Sequence, residues 1–169
     1  MTAEADPEPR DAIDAILEQW RHERPDLDLS AMGVLGRLSL LTRAVEAQVE
    51  GVLGRHGLGR GEFDVLAALR RSGPPYTLTP SELSATLMMS RAGMTSRLDR
   101  LEAVGLVERS LDPADRRSFR VTLTDAGRAI IDATLTDHAA TLKRLTSGLA
   151  SEDIATMTRI LRTMLDTVT

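Results

Sequence analysis

The sequence predicts a mainly α protein with a small β-wing, a winged helix-turn-helix joined to a lobe of helices. Three observations predict it. Apolar residues recur at helical spacing over most of the chain. A short helix with a start signal at Thr79 is followed at once by a second with a start signal at Ser90. Two short runs, the second alternating, then flank the tip Asp112-Pro113-Ala114-Asp115-Arg116-Arg117, as in a β-hairpin.

Taken in order, residues 1–9 are acidic and proline-rich and predict a disordered tail, neither a signal nor a transit peptide. Asp11 to His22 sets Ile13, Ile16, Leu17 and Trp20 on one helical face, and Pro25 disfavours helix at Arg24. A second helix is expected from Ser30 to Arg55, with Leu38, Leu41, Val45, Val49 and Val52 as its stripe, ended by Gly57 and Gly59. Gly61 to Arg71 is a third, and Ser72-Gly73-Pro74-Pro75 stops it. Tyr76-Thr77-Leu78 reads as a short strand. Thr79-Pro80-Ser81-Glu82 combines an N-cap, a first-turn proline and a capping-box glutamate. The helix from Ser90 ends at Gly105. Leu106 to Ser110 and Ser118 to Leu123 are strands. Thr124-Asp125 caps a long helix to about Leu149, and Ser151-Glu152-Asp153 caps the last. That helix carries Ile154, Met157, Leu161, Met164, Leu165 and Val168 near heptad spacing, a seam for a partner helix in this chain, in a second copy, or in both.

Composition narrows the function. A chain of 169 residues, 42 % hydrophobic, is long enough for one sizeable core or two small lobes. The absence of cysteine removes disulfides, thiolate metal sites and thiol redox sensing, and fits a reducing cytoplasm. No apolar run approaches membrane-spanning length, so no membrane partner is expected. Net charge is −4, which argues against an indiscriminate nucleic-acid coat. Ser90 to Arg120 is the exception: seven arginines face five acids there. An aromatic content of 2 % leaves no stacking platform for single strands.

These features converge on double-stranded DNA. In the helix from Ser90, Met94, Leu98 and Leu101 cluster on one side, to pack on Leu83 and Leu87. Ala92, Thr95, Ser96, Asp99 and Arg100 fall on the other. Small residues permit close approach to base edges; Thr95 and Ser96 can donate or accept, and Arg100 suits a guanine edge or a phosphate. Arg91, near the helix start, suits a phosphate. In the wing, Asp115 would orient one of Arg116 and Arg117 by a charge-assisted hydrogen bond, leaving the other for a narrow minor groove. Arg97 lies at the edge of the apolar side. A half-buried guanidinium there needs an anionic partner, either a carboxylate such as Asp64 or a planar anion.

Four stretches carry a resemblance: Leu-Thr-Pro-Ser-Glu-Leu-Ser at 78–84, Arg-Leu-Asp-Arg-Leu-Glu-Ala-Val-Gly-Leu-Val-Glu-Arg at 97–109, Asp-Arg-Arg at 115–117 and Val-Thr-Leu-Thr-Asp-Ala-Gly at 121–127. With them the chain resembles the MarR family of transcriptional regulators. The resemblance implies a homodimer on a pseudo-palindromic operator, and no cofactor. It divides the chain into helices of a dimerisation lobe at 10–60 and 124–169 and a DNA-binding domain at 61–123. It also implies a ligand site between lobe and reading head. Within the family, the chain is similar to the urate-responsive branch in four positions: Trp20, Asp64, Arg97 and Arg109. That resemblance assigns Trp20 and Arg97 to a purine anion, and Asp64 and Arg109 to relaying its effect. The effector implied is urate or another purine or aromatic anion; a different phenolic ligand is the alternative.

Other features carry no site. His22, His56 and His138 have no metal spacing, and the glycines at 54, 57, 59 and 61 match no phosphate loop. Two further readings compete. An enzyme would need a nucleophile–base pair, metal cluster or cofactor loop, and none is visible. A protein-interaction module that kept the winged shape without reading DNA is opposed by the arginines at 100, 116 and 117.

Overall fold

The structure, a computed structural model, describes residues 10–112 and 118–168. Among these described residues, seven helices and three strands follow in the order α1 (Ala12–Glu23), α2 (Ser30–Arg55), α3 (Arg60–Arg71), β1 (Thr77–Leu78), α4 (Pro80–Thr86), α5 (Arg91–Ala103), β2 (Val107–Leu111), β3 (Phe119–Leu123), α6 (Asp125–Leu145) and α7 (Ser151–Val168). The chain is mainly α with a small β-wing, as its sequence predicts. It divides into two compact units, Met1–Ala47 and Gln48–Thr169.

In the first unit, Asp11 caps α1. Its side chain accepts from the backbone N–H groups of Ile13 and Asp14, and the Asp14 carboxylate accepts from the Asp11 N–H. Arg37 of α2 then binds both acids, at 2.7 Å from Asp11 and 2.6 Å from Asp14. Ile13, Leu17 and Leu29 form its small core. Gly33 and Gly36 let α1 lie close, for a Cβ on either would stand 3.1 Å from Leu17 Cδ1 or Ile13 Cδ1. Ile16 and Trp20, on the same helical face by their spacing, are exposed. A helix buries only the arc that meets a neighbour, and here that arc is narrower than the apolar one.

The second unit holds the larger core: Val52, Leu53, Val65, Leu66, Leu69, Leu83, Met94, Leu98, Leu101, Val107, Val121 and Ile131 are almost wholly enclosed. Along α2, Val49, Val52 and Leu53 are buried, while Leu41, placed on the stripe by sequence, is half exposed. The sheet has the order β1–β3–β2, antiparallel throughout, with Leu78 opposite Val121 and Val107 opposite Leu123. Asp112 N–H donates to the Ser118 carbonyl at 2.9 Å and closes the base of the β2–β3 hairpin. His56 joins Asp137 of α6 at 2.8 Å, a structural role. The α6 helix ends at Leu145, short of the expected Leu149, where the backbone of Thr146 leaves the helical region at φ −105° and ψ 5°. No residue of α7 is buried. Its apolar positions Ile154, Met157, Leu165 and Val168 stand exposed. None of the described helices is long and apolar enough to cross a membrane.

Candidate functional site

Two capped helices build the site. Thr79 accepts at its hydroxyl from the Glu82 N–H, and the Glu82 carboxylate accepts in return from the Thr79 N–H at 2.7 Å. Those bonds hold the Glu82 carboxyl below the usual carboxylate range, the backbone N–H contributing most. Ser90 caps α5 through the Gly93 N–H. Between the helices lies a cleft lined by Pro80, Ser81, Ser84, Arg91, Met94 and Thr95. Met94, Leu98 and Leu101 anchor α5 inward, each about 1 % exposed, so its opposite face is fixed as an outward one. Arg91, Ala92, Thr95, Ser96, Asp99 and Arg100 all stand exposed on α5. The Thr95 hydroxyl donates to the Arg91 carbonyl at 3.0 Å, which leaves its oxygen as an acceptor. Ser96 makes no side-chain hydrogen bond among the described residues and keeps both capacities.

Two arginines of α5, Arg97 and Arg100, meet α3. Arg97 is half-buried and donates from Nη1 to the Gly93 carbonyl at 3.1 Å, while its buried Nε has no partner among the described residues. Its guanidinium lies across Gly61 of α3: a Cβ at 61 would run into Nε, Cζ and Cδ of Arg97. One turn on, Arg100 contacts Glu62 Oε1 through Nε at 2.9 Å and Nη2 at 2.7 Å. On the wing side, Arg109 of β2 pairs with Asp99 and Glu102 of α5. Its Nη2 donates to Asp99, and its backbone N–H donates to Glu102 Oε1 at 3.2 Å. Arg109 Nε lies 3.2 Å from Glu102 Oε2 without hydrogen-bond alignment, so that contact is electrostatic. The hairpin is therefore tied to α5 by charge as well as by the packing of β2 against that helix. No group of three or more His, Asp or Glu side chains among the described residues is placed to hold a metal.

A family model described as the MarR family matches residues 56–118, from the turn before α3 to the wing. The HTH-type transcriptional regulator PecS of Dickeya dadantii is 39 % identical over 141 residues, 83 % of this chain and 85 % of that protein. The chain belongs to the MarR family. Mutant MarR from E. coli, solved in complex with operator DNA, is 27 % identical and superposes with a TM-score of 0.68 over 86 % of this chain and 97 % of that one. AbsC, a MarR family regulator of Streptomyces coelicolor, shares the fold with a TM-score of 0.73 over 84 % of this chain and 95 % of its own, at 23 % identity. A MarR family member of this kind is a transcription regulator rather than an enzyme.

Within this MarR family chain the expected residues fall as follows. Arg91, Thr95, Ser96 and Arg100 share the exposed face of α5. Asp115, Arg116 and Arg117 lie outside the described residues. Arg97, Arg109 and Asp64 belong to the second unit and Trp20, 45 % exposed, to the first. Asp64 is not the carboxylate that meets Arg97; it makes no ion pair among the described residues. The α3 position that Arg97 lies across is Gly61, nearly one turn nearer the start of the helix. Asp99, expected to face DNA, faces outward but is held by Arg109. Sequence reasoning passed over Gly61 and Glu62. The only signal for them is a glycine and an acid in the first turn of a helix beside an arginine-bearing one, too common a pattern to single out.

Proposed function

We propose that this chain is a ligand-responsive transcriptional repressor that binds a pseudo-palindromic operator as a homodimer and is released by a small aromatic anion, urate or another purine. The observation that carries the DNA role is the outward face of α5, where Arg91, Thr95, Ser96 and Arg100 stand exposed over an inner face locked by Met94, Leu98 and Leu101. The likeness to a MarR solved on operator DNA supports it. Small hydroxyl residues read base edges, and Arg91 takes a phosphate. Asp115, Arg116 and Arg117 serve the adjacent groove from the wing tip. Residues 61–123 form the reading head, and 10–60 with 124–169 the dimerisation lobe. The exposed apolar positions of α7 support a second copy as their cover. Two copies would hold their α5 helices about 34 Å apart, one DNA turn.

The unpaired buried Nε of Arg97 supports the ligand role, because a desolvated cationic donor is satisfied by an anion. Trp20 contributes to ligand binding, and Asp64 and Arg109 to the response. The anion lowers DNA affinity only by the ratio of its affinities for the two conformations. The test is selection. The protein is bound to a random duplex pool, washed, and eluted with urate. An enriched palindrome in the urate eluate supports operator and effector together. A palindrome released only by high salt removes urate and keeps the regulator. Absence of any enriched sequence removes the DNA role.

A further inference from the structure

The geometry points to Glu62 of α3 as a specificity-determining positioning residue that acts on DNA through Arg100. The inference rests on the proposed DNA-reading role and adds to it a residue outside the helix-turn-helix itself. An arginine guanidinium has a side edge, Nε with Nη2, and an end edge, Nη1 with Nη2. Glu62 grips the side edge through its single oxygen Oε1, at 2.9 and 2.7 Å. The end edge, which suits the two acceptors of a guanine, meets no partner among the described residues. The burial of the two partners decides which way the pair acts. The Glu62 side chain is 18 % exposed and that of Arg100 is 61 % exposed. Pulling Arg100 away onto a phosphate would strand a largely buried carboxylate, which is costly. Arg100 therefore keeps its grip on Glu62 and meets DNA with a fixed, outward fork.

Gly59 makes room for this arrangement. It is the N-cap of α3, with φ −82°, a value any residue adopts. A Cβ on it would overlap Glu62 Oε2, the free end of a flexible side chain. Gly59→Ala thus displaces the carboxylate at little cost to the backbone, and offers a second way to unseat Arg100 without touching either partner.

The experiment measures the affinity of the full-length protein for its selected duplex and for a scrambled duplex, by fluorescence anisotropy over a salt series. Wild type, Glu62→Gln, Glu62→Ala, Gly59→Ala and Arg100→Ala are compared. A free Arg100 becomes a mobile charge that any phosphate attracts. In Glu62→Ala and Gly59→Ala the ratio of selected to scrambled affinity should fall about tenfold, within the range of one lost base contact. Scrambled-duplex affinity should hold or rise, and in Glu62→Ala the slope of log affinity against log salt should steepen by about 0.9. Glu62→Gln keeps an acceptor oxygen and should fall between. A structural role would lower both affinities together and leave the ratio in place; that result, or an unchanged ratio in both Glu62→Ala and Gly59→Ala, overturns the inference alone. A wild type that prefers no duplex overturns the DNA reading beneath it.

Discussion

Gly61→Ala separates the proposed ligand role of Arg97 from the stability of the fold. The new Cβ would occupy the space of Arg97 Nε, Cζ and Cδ, so the guanidinium must leave its bed on α3. The stability terms nearly cancel. Alanine is better than glycine within a helix by about 0.5–1 kcal/mol. Freeing the orphaned Nε to solvent removes a penalty of about 1–3 kcal/mol. Against these stand the lost bond to the Gly93 carbonyl, about 1 kcal/mol, and the buried stem at about 0.8 kcal/mol per methylene. The net change should lie within about 1 kcal/mol of zero. The ligand term has no such compensation. A hydrogen bond to a charged group is worth about 1.5–3 kcal/mol, so urate affinity should fall by roughly ten- to a hundredfold. Urea denaturation gives the first quantity. Titration with urate, followed by the emission of Trp20, the only tryptophan, gives the second. DNA affinity without urate should change little, since Arg97 is not on the exposed face of α5. A variant that folds as wild type and binds urate equally well would refute the placing of the anion on Arg97. A tenfold loss accompanied by a large loss of stability would refute the balance of terms.

Two further perturbations test how the reading head is held. Gly127, buried in the first turn of α6, faces the Leu106 carbonyl so closely that a Cβ would overlap it and stand 3.1 Å from Leu123 Cδ1. Gly127→Ala should therefore destabilise by about 1–3 kcal/mol, measured by thermal or urea denaturation, and a neutral result would mean that the backbone at Leu106, just before β2, yields readily. Thr79→Ala should cost about 1 kcal/mol by removing the α4 cap. Because the Thr79 N–H depresses the Glu82 carboxyl, the stabilisation it brings is complete above the ordinary carboxylate pKa and is lost as pH falls through the lower folded value. Acid denaturation should accordingly be blunted in Glu82→Gln, and superimposable profiles would contradict the capping box as a source of acid sensitivity.

What the sequence discloses follows the range of the interaction concerned. Thr79, Ser90 and Thr124 bind backbone groups within three residues, so their helix starts are legible from composition and spacing alone. The inner face of α5 is legible because Met94, Leu98 and Leu101 repeat at helical spacing against a partner close in the chain. Contacts between elements distant in sequence are another matter. Nothing near Arg109 marks Asp99 and Glu102 as its partners, and nothing near Arg97 marks Gly61. Those pairings depend on how α3, α5 and β2 pack. The exposure of Leu41 is equally hidden, and the α7 seam leaves open whether its cover lies in the same chain, since periodicity tells which side of a helix is apolar but not how much of it one chain covers.

The tie between Arg109 and Asp99 also bears on how such a protein could change its target. Asp99 shares the outward face of α5 with Ala92, Thr95 and Ser96, yet its carboxylate is committed to fastening the hairpin. On the proposed DNA-reading role of that face, a substitution there would alter the chemistry offered to bases and loosen the wing at the same time. Ala92, Thr95 and Ser96 carry no such double duty. Drift in an operator should therefore be followed by mutation at those three positions, while Asp99 and Arg109 change together or hardly at all, so that the shape of the head outlasts the text it reads.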